Sequence, residues 1–253
     1  MKKWLFWLLM TVVLFGLTAC NSAPAVSDDS DNVTTTTASS ATTTTTTTTA
    51  TVQPMVRITY STSENATLQG LQKSCDILEQ RLTAMGMFGY RISLTEDETI
   101  LLEVPRSYYP GNLNKRAYIW GSQGELAICV GDTEDGIVPL PPEDTVLDYR
   151  HVSSAEAVVL QSGEYAVTLT FTAEGADLLA NITTELAKTQ DYLYVHMDWE
   201  FWDALQVLQP ITDGECMVTG FASWEAAALF AAKINAGLLP YNLSAGVDFS
   251  LVE

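Results

Sequence analysis

The chain has 253 residues, with 12 Lys and Arg against 31 Asp and Glu, and a formal net charge of −19. Without Lys2 and Lys3, which fall in an N-terminal leader, 10 basic side chains face 31 acidic ones, or −21. Such a surface repels phosphate backbones and anionic lipids; it excludes nucleic-acid binding and suits basic partners or plain solubility.

Lys2 and Lys3 precede the apolar run WLFWLLMTVVLFGL (4–17). The run is shorter than the roughly 20 residues that span a bilayer as a helix, and its flanks are those of an export signal. It ends in LTAC (17–20), which resembles the lipobox of bacterial lipoproteins. That resemblance implies lipidation of Cys20 and anchoring at the extracytoplasmic face of a bacterial cell membrane. The other reading is an ordinary signal peptide followed by an unrelated cysteine. Residues 21–54 contain thirteen threonines, eight of them unbroken from Thr42 to Thr49. This composition cannot offset chain entropy by burial and predicts a disordered linker with a reach of about 30–35 Å. No second apolar run reaches spanning length.

From residue 55 the pattern changes. Val56, Ile58 and Tyr60 alternate with polar residues and predict a strand. Leu68, Leu71, Cys75, Leu78, Leu82 and Met85 form one helical stripe, ended by Gly86. Tyr90, Ile92 and Leu94 then face Ile100, Leu102 and Val104 across TEDE, a predicted hairpin. Near the C-terminus, Ser223 caps the helix WEAAALFAAKINA, which stops at Gly237. Leu243, Ala245, Val247, Phe249 and Leu251 follow in strict alternation. The two ends together read β-α-β-β…α-β, the ferredoxin-like arrangement. The expected fold is α+β: a base from 55–130 and 221–253, with an α+β head inserted at 131–220. Within the head, Tyr165–Phe171 predicts a strand, Thr172 caps the helix AEGADLLANITTELAK, and strands are expected around 192–197 and 215–219. The stretch 131–146 reads as an acidic loop and candidate hinge.

Three sequence blocks resemble SecD, the bacterial protein-translocation subunit, in its first extracytoplasmic domain. They are VTLTFTAEGADLLANIT (167–183), QPITDGECMVTGF (209–221) and SWEAAALFAAKINAGLLPYNL (223–243). Phe171, Glu174, Gly175 and Thr183 fit the family's F-x-x-E-G block and the helix after it. Pro210, Ile211 and Gly214 fit its P-I-x-x-G turn. Gly220, Glu225, Ala226, Gly237, Leu239 and Pro240 fit the closing strand–helix block. CDILEQRLTAMG, EVP and HVSSAEAVV extend the likeness across about 55–253. The resemblance implies a ferredoxin-like base with a movable head. It carries no expectation of proton-coupled activity, which in the family belongs to a transmembrane bundle. It is broken at one hairpin: the family's D-G-x-x-x-S-A-P reads DWEFWDAL here, with Trp199 for the turn glycine and Leu205 for the proline.

Catalytic chemistry is poorly represented. His151 and His196 lie in different segments, and there is no GxSxG, HExxH or P-loop. Ser153 and Ser154 beside His151 read as a turn. Glu98, Asp132, Glu134 and Asp135 lack the register of a calcium loop and read as solvated acids. Beyond Cys20, the cysteines Cys75, Cys129 and Cys216 allow one bridge and a spare thiol, or three small core residues. No enzyme activity, cofactor or metal is expected.

Binding remains. In DYLYVHMDW, strand alternation puts Leu193, Val195 and Met197 inward and Tyr192, Tyr194 and His196 outward. Tyr192, Tyr194, Trp199, Phe201 and Trp202 are the candidate polypeptide-binding residues, either core or an aromatic rim for apolar or basic peptide. The expected partners are exported or unfolded polypeptide, or the Sec translocation machinery. The alternative is a structural or signalling envelope protein that reuses the fold to hold a fixed protein or glycan.

Overall fold

The computed structural model describes residues 54–108, 112–131, 140–141 and 143–252. The expected export signal, Cys20 and nearly all of the threonine-rich linker lie outside them, as do Asp132, Glu134 and Asp135. Among the described residues the strands form three sheets.

The first sheet has the order β11-β1-β3-β2, from β1 (Met55–Ser61), β2 (Arg91–Leu94), β3 (Ile100–Pro105) and β11 (Ser244–Val252), all antiparallel. With α1 (Leu68–Ala84) after β1 and α4 (Trp224–Ala236) before β11, this is the ferredoxin-like base. The hairpin register pairs Ile92 with Leu102 and Leu94 with Ile100, as the alternation requires. Thr67 caps α1 by accepting from the Gly70 N–H. Leu71, Cys75, Leu78 and Leu82 of the helix pack on Ile58, Tyr60 and Leu102 of the sheet, whereas Leu68 at the helix end is exposed. A short helix, α2 (Leu113–Trp120), closes the same core with Leu113, Ala117 and Trp120.

The inserted head holds the other two sheets. One is β5-β4-β8-β9, from β4 (Leu126–Gly131), β5 (Thr145–Asp148), β8 (Tyr192–Met197) and β9 (Glu200–Gln206). The other is β10-β7-β6, from β6 (Val152–Val159), β7 (Tyr165–Phe171) and β10 (Glu215–Phe221). Ile128, Val195, Leu169 and Val218 meet in one core with Leu179 of α3 (Ala173–Thr189). The stretch 131–146, read as a loop, contributes its last residues to β5.

The SecD-like blocks prove to be packing devices. Thr183 is fully buried on α3; its hydroxyl donates to the Leu179 carbonyl at 2.7 Å and accepts from the Ile211 N–H at 2.9 Å. The P-I-x-x-G turn is thereby pinned to the helix. Gly175 lies against the His151 carbonyl so closely that a Cβ would collide with backbone, so no larger residue fits there without moving α3. His151 Nδ1 accepts from the Asp148 N–H, and the Ser153 hydroxyl donates to the Thr170 carbonyl. Cys75, Cys129 and Cys216 are free and buried. Burial pushes the Cys75 thiol up to about 11 and the Cys216 thiol up to about 12, which keeps both protonated and inert near neutrality.

Helix α4 is buried continuously from Ala227 to Ile234, as expected of a helix apolar on all sides. Ala227, Phe230, Ala231 and Ile234 enter the head core, while Leu229 enters the base core. Asn235 seals the outer edge of β6: its side-chain oxygen accepts from the Ala155 N–H at 2.8 Å, and its amide donates to the Ala155 carbonyl at 2.7 Å.

Candidate functional site

The stretch MDWEFWDAL forms the tip of the β8–β9 hairpin. Met197 pairs with Glu200, so Asp198 and Trp199 make a two-residue turn with φ of 55° and 68°. Positive φ at both positions is the demand of a type I′ turn, which favours Asp-Gly. Asp198 suits it. Trp199 does not: an L side chain there costs roughly 1–2 kcal/mol, and strain of this kind collects at functional sites. The indole is 56% exposed and donates to Glu125 Oε2 at 3.1 Å.

Replacing Trp199 with glycine sets relief of that strain against the larger entropy loss of glycine, about 0.5–1 kcal/mol, and one exposed hydrogen bond. Stability is therefore expected to hold or rise by up to about 1 kcal/mol. Urea denaturation checks this; a loss above about 1 kcal/mol would mean that the fold itself needs the indole.

Beneath the turn sits a buried polar knot. Asp198 Oδ1 accepts from the Gly124 and Glu125 N–H groups, and Oδ2 accepts from Lys233 Nζ at 2.7 Å. Lys233 also donates to the Ser122 hydroxyl at 2.6 Å. Arg81, 0% exposed on α1, donates to the carbonyls of Trp120, Ser122, Gln123 and Gly237. Desolvation pulls the guanidinium down to about 10, opposed by the charge of Asp198, so it stays charged at neutral pH. Burial raises the Asp198 carboxyl, but the charge and hydrogen bond of Lys233 outweigh it and hold the group below the usual carboxylate range. Burial likewise lowers the Lys233 ammonium, against the raising effect of Asp198. Gly124, at φ 86°, passes so near Arg81 that a Cβ would strike its guanidinium and crowd the Lys233 side chain. The knot fastens the hairpin tip to α1, α4 and the loop between α2 and β4.

Beside the tip lies a cleft of about 590 Å³. Met85, Met87 and Tyr108 line it from the base, and Met197, Trp202 and Phe230 from the head side, with Arg116, Glu200 and Glu225 among its charges. The volume falls in the range of ligand-binding clefts, and flexible methionines suit surfaces that accept varied partners.

Trp202 owes its place to a bulge. Asp203 pairs with Val195 and Phe201 with His196, so Trp202 is the extra residue on β9; bulges re-aim side chains in this way. Its ring stacks at 5.0 Å from Phe221 and 5.2 Å from Phe230. Each such aromatic pair is worth about 0.5–1.5 kcal/mol beyond burial. Phe201, 50% exposed, meets His196 edge to face at 5.8 Å.

A family model for the P1 head subdomain of SecDF matches residues 131–241. The SecDF translocase subunit of Thermus thermophilus is 26% identical over 71% of this chain and 28% of its own length. The SecD translocase subunit of Acidaminococcus fermentans is 25% identical over 68% of this chain and 38% of its own. SecDF solved in its super-membrane-facing form superposes with a TM-score of 0.55 at 25% identity, covering 76% of this chain and 30% of that one. A structure of a membrane component SecDF that enhances protein export superposes with a TM-score of 0.53 at 26% identity, covering 75% of this chain and 97% of that one.

The chain contains a SecD-type P1 domain. It spans 28% and 38% of the length of the two curated relatives, and among the described residues no helix is long and apolar enough to cross a membrane.

Within the SecD-type domain the five candidate aromatics separate. Trp199 and Phe201 are exposed at the tip, and Trp202 is half-buried on the cleft wall. Tyr192 is half-buried at the far end of the hairpin, about 17 Å from Met197 along the strand. Tyr194, expected outward, is 7% exposed, and His196 is buried with it. Alternation alone would leave one face of β8 outward, but from Leu193 to Met197 the strand is buried on both faces, so both side chains belong to the interior. Sequence reasoning missed the cleft partners Met87, Tyr108 and Phe230, which come from three separate segments. It also missed Lys233 and Arg81, whose one signal was a charge inside an apolar helix pattern.

Proposed function

We propose that the chain is a non-catalytic, lipid-anchored extracytoplasmic protein whose SecD-type domain binds exported polypeptide, or assists protein translocation beside the Sec machinery. Anchoring would run through Cys20 and the 21–54 linker. The observation that carries the reading is the aromatic tip next to a methionine- and aromatic-lined cleft, where Trp199 sits on an unfavourable backbone. Its relatives are translocase subunits, and one structural neighbour is a component that enhances protein export. Apolar and aromatic contacts of this kind favour extended apolar segments, and the net charge of −19 favours those carrying basic residues.

The test is photo-crosslinking in intact cells from a reactive amino acid at position 199. Capture of many different nascent exported chains is expected. One constant partner would favour a fixed-partner envelope role, and no capture would remove the tip from consideration. In vitro, the double substitution Trp199→Gly, Phe201→Ala is expected to weaken binding of a labelled apolar-basic peptide by about tenfold or more, since aromatic anchors each contribute more than about 1 kcal/mol. Fluorescence anisotropy reads that change.

A further inference from the structure

Two of the sheets end on strands that face each other. β9 closes β5-β4-β8-β9, β10 opens β10-β7-β6, and a groove of about 730 Å³ lies between them. It shares no lining residue with the aromatic cleft. A sheet edge presents backbone N–H and C=O groups to whatever lies alongside. Here carboxylates meet them. Asp203 Oδ1 accepts from the Ala204 N–H of β9 at 2.8 Å, while its Oδ2 accepts from the Thr219 N–H of β10 at 2.8 Å and the Thr219 hydroxyl at 3.0 Å. Asp213 accepts from the Glu215 N–H at 3.2 Å. One carboxylate thus holds an N–H of each edge, where the carbonyl oxygens of an intervening strand would stand. Backbone direction alternates along a strand, so the Met217 N–H points the same way as those of Glu215 and Thr219. The lining includes Asp203, Asp213 and Glu215 and no Lys, Arg or His.

We propose that this groove takes an extended, basic polypeptide segment by strand addition, joining the two head sheets through the inserted chain. The proposal rests on the polypeptide-binding reading above and gives it a second contact. The incoming carbonyls take over the N–H groups of Ala204, Glu215, Met217 and Thr219. Asp203 and Asp213, so released, pair with lysines or arginines of the segment. Main-chain pairing supplies sequence-tolerant affinity, and the carboxylates select charge and speed encounter.

Amide hydrogen exchange on the full chain tests this, with a peptide of alternating valine and lysine as the probe. At a peptide concentration about ten times Kd, exchange at 204 and 215–219 is expected to slow about tenfold, and binding is expected to weaken as salt rises. Met217→Pro removes an edge N–H and is expected to abolish the slowing. Glu215→Lys, on an exposed side chain, is expected to lower affinity several-fold whether or not the proline variant folds. Protection confined to the cleft and residues 199–202 would overturn the groove while leaving polypeptide binding intact. No protection at either place would overturn both. Edge protection that grows with the protein's own concentration, without peptide, would assign the groove to a second copy and overturn the proposal.

Discussion

Replacing Asp198 with alanine is expected to cost about 3–5 kcal/mol of folding stability, because it leaves the Lys233 ammonium buried without its counter-charge. Lys233 is 5% exposed and sits near the equally buried Arg81, so the loss would strand two cations together. The double substitution Asp198→Ala, Lys233→Met is expected to recover much of the loss, since an apolar side chain tolerates what an unpaired charge does not. Urea denaturation of the single and double variants measures both; a single-variant loss below about 1 kcal/mol would show the pair to be solvated. The same carboxylate sets a pH dependence. Its folded value lies below its ordinary one, so its contribution is complete above the unfolded value of about 3.9 and is lost as pH falls through the lower folded value. The acid limb of the stability profile should therefore shrink in Asp198→Ala.

Arg81→Met is expected to lose at least about 4 kcal/mol, near the upper end for single substitutions. The guanidinium supplies hydrogen bonds to four carbonyls, at Trp120, Ser122, Gln123 and Gly237. Each carbonyl left unpaired in the interior costs about 1–3 kcal/mol. Methionine keeps the apolar stem, so the loss reads the head group. Arg81→Lys should restore only a part, because an ammonium has three donors at one point and cannot reproduce the planar fork. Thermal denaturation gives the magnitude. Hydrogen exchange across 120–125 gives the location, and faster exchange is expected there first, because Gly124 and Glu125 are the residues that hold Asp198.

The elements differ in how openly the sequence displays them. The α1 stripe, the β2–β3 alternation and the Thr172 and Ser223 caps all state a local preference, and each element formed as read. The elements passed over state none. α2 has two turns and a weak stripe. β4, LAICVG, is a continuous apolar run that periodicity alone cannot assign. β9, EFWDALQ, loses its alternation because the bulge at Trp202 inserts a residue into the period. The binding candidates divide on the same ground. Exposure of Trp199 follows from a turn, which is local. Burial of Tyr194 follows from cover over the second face of β8, which no residue of β8 announces.

The class of fold, the ferredoxin-like order of the base and the kinship with SecD are legible in the chain, because periodicity, caps and turn residues are local and survive in order along it. The sequence also marked DWEFWDAL as the place where the family pattern was rewritten. What that rewriting means depends on packing in three dimensions. That packing left Trp199 in solvent on a strained turn, turned Trp202 into the wall of a cleft, and sank Asp198 against a lysine from the last helix. These outcomes depend on α1, α4, the 120–125 loop and the hairpin meeting at one point. Desolvation and charge pairing act on distance in space, and a linear sequence does not record it.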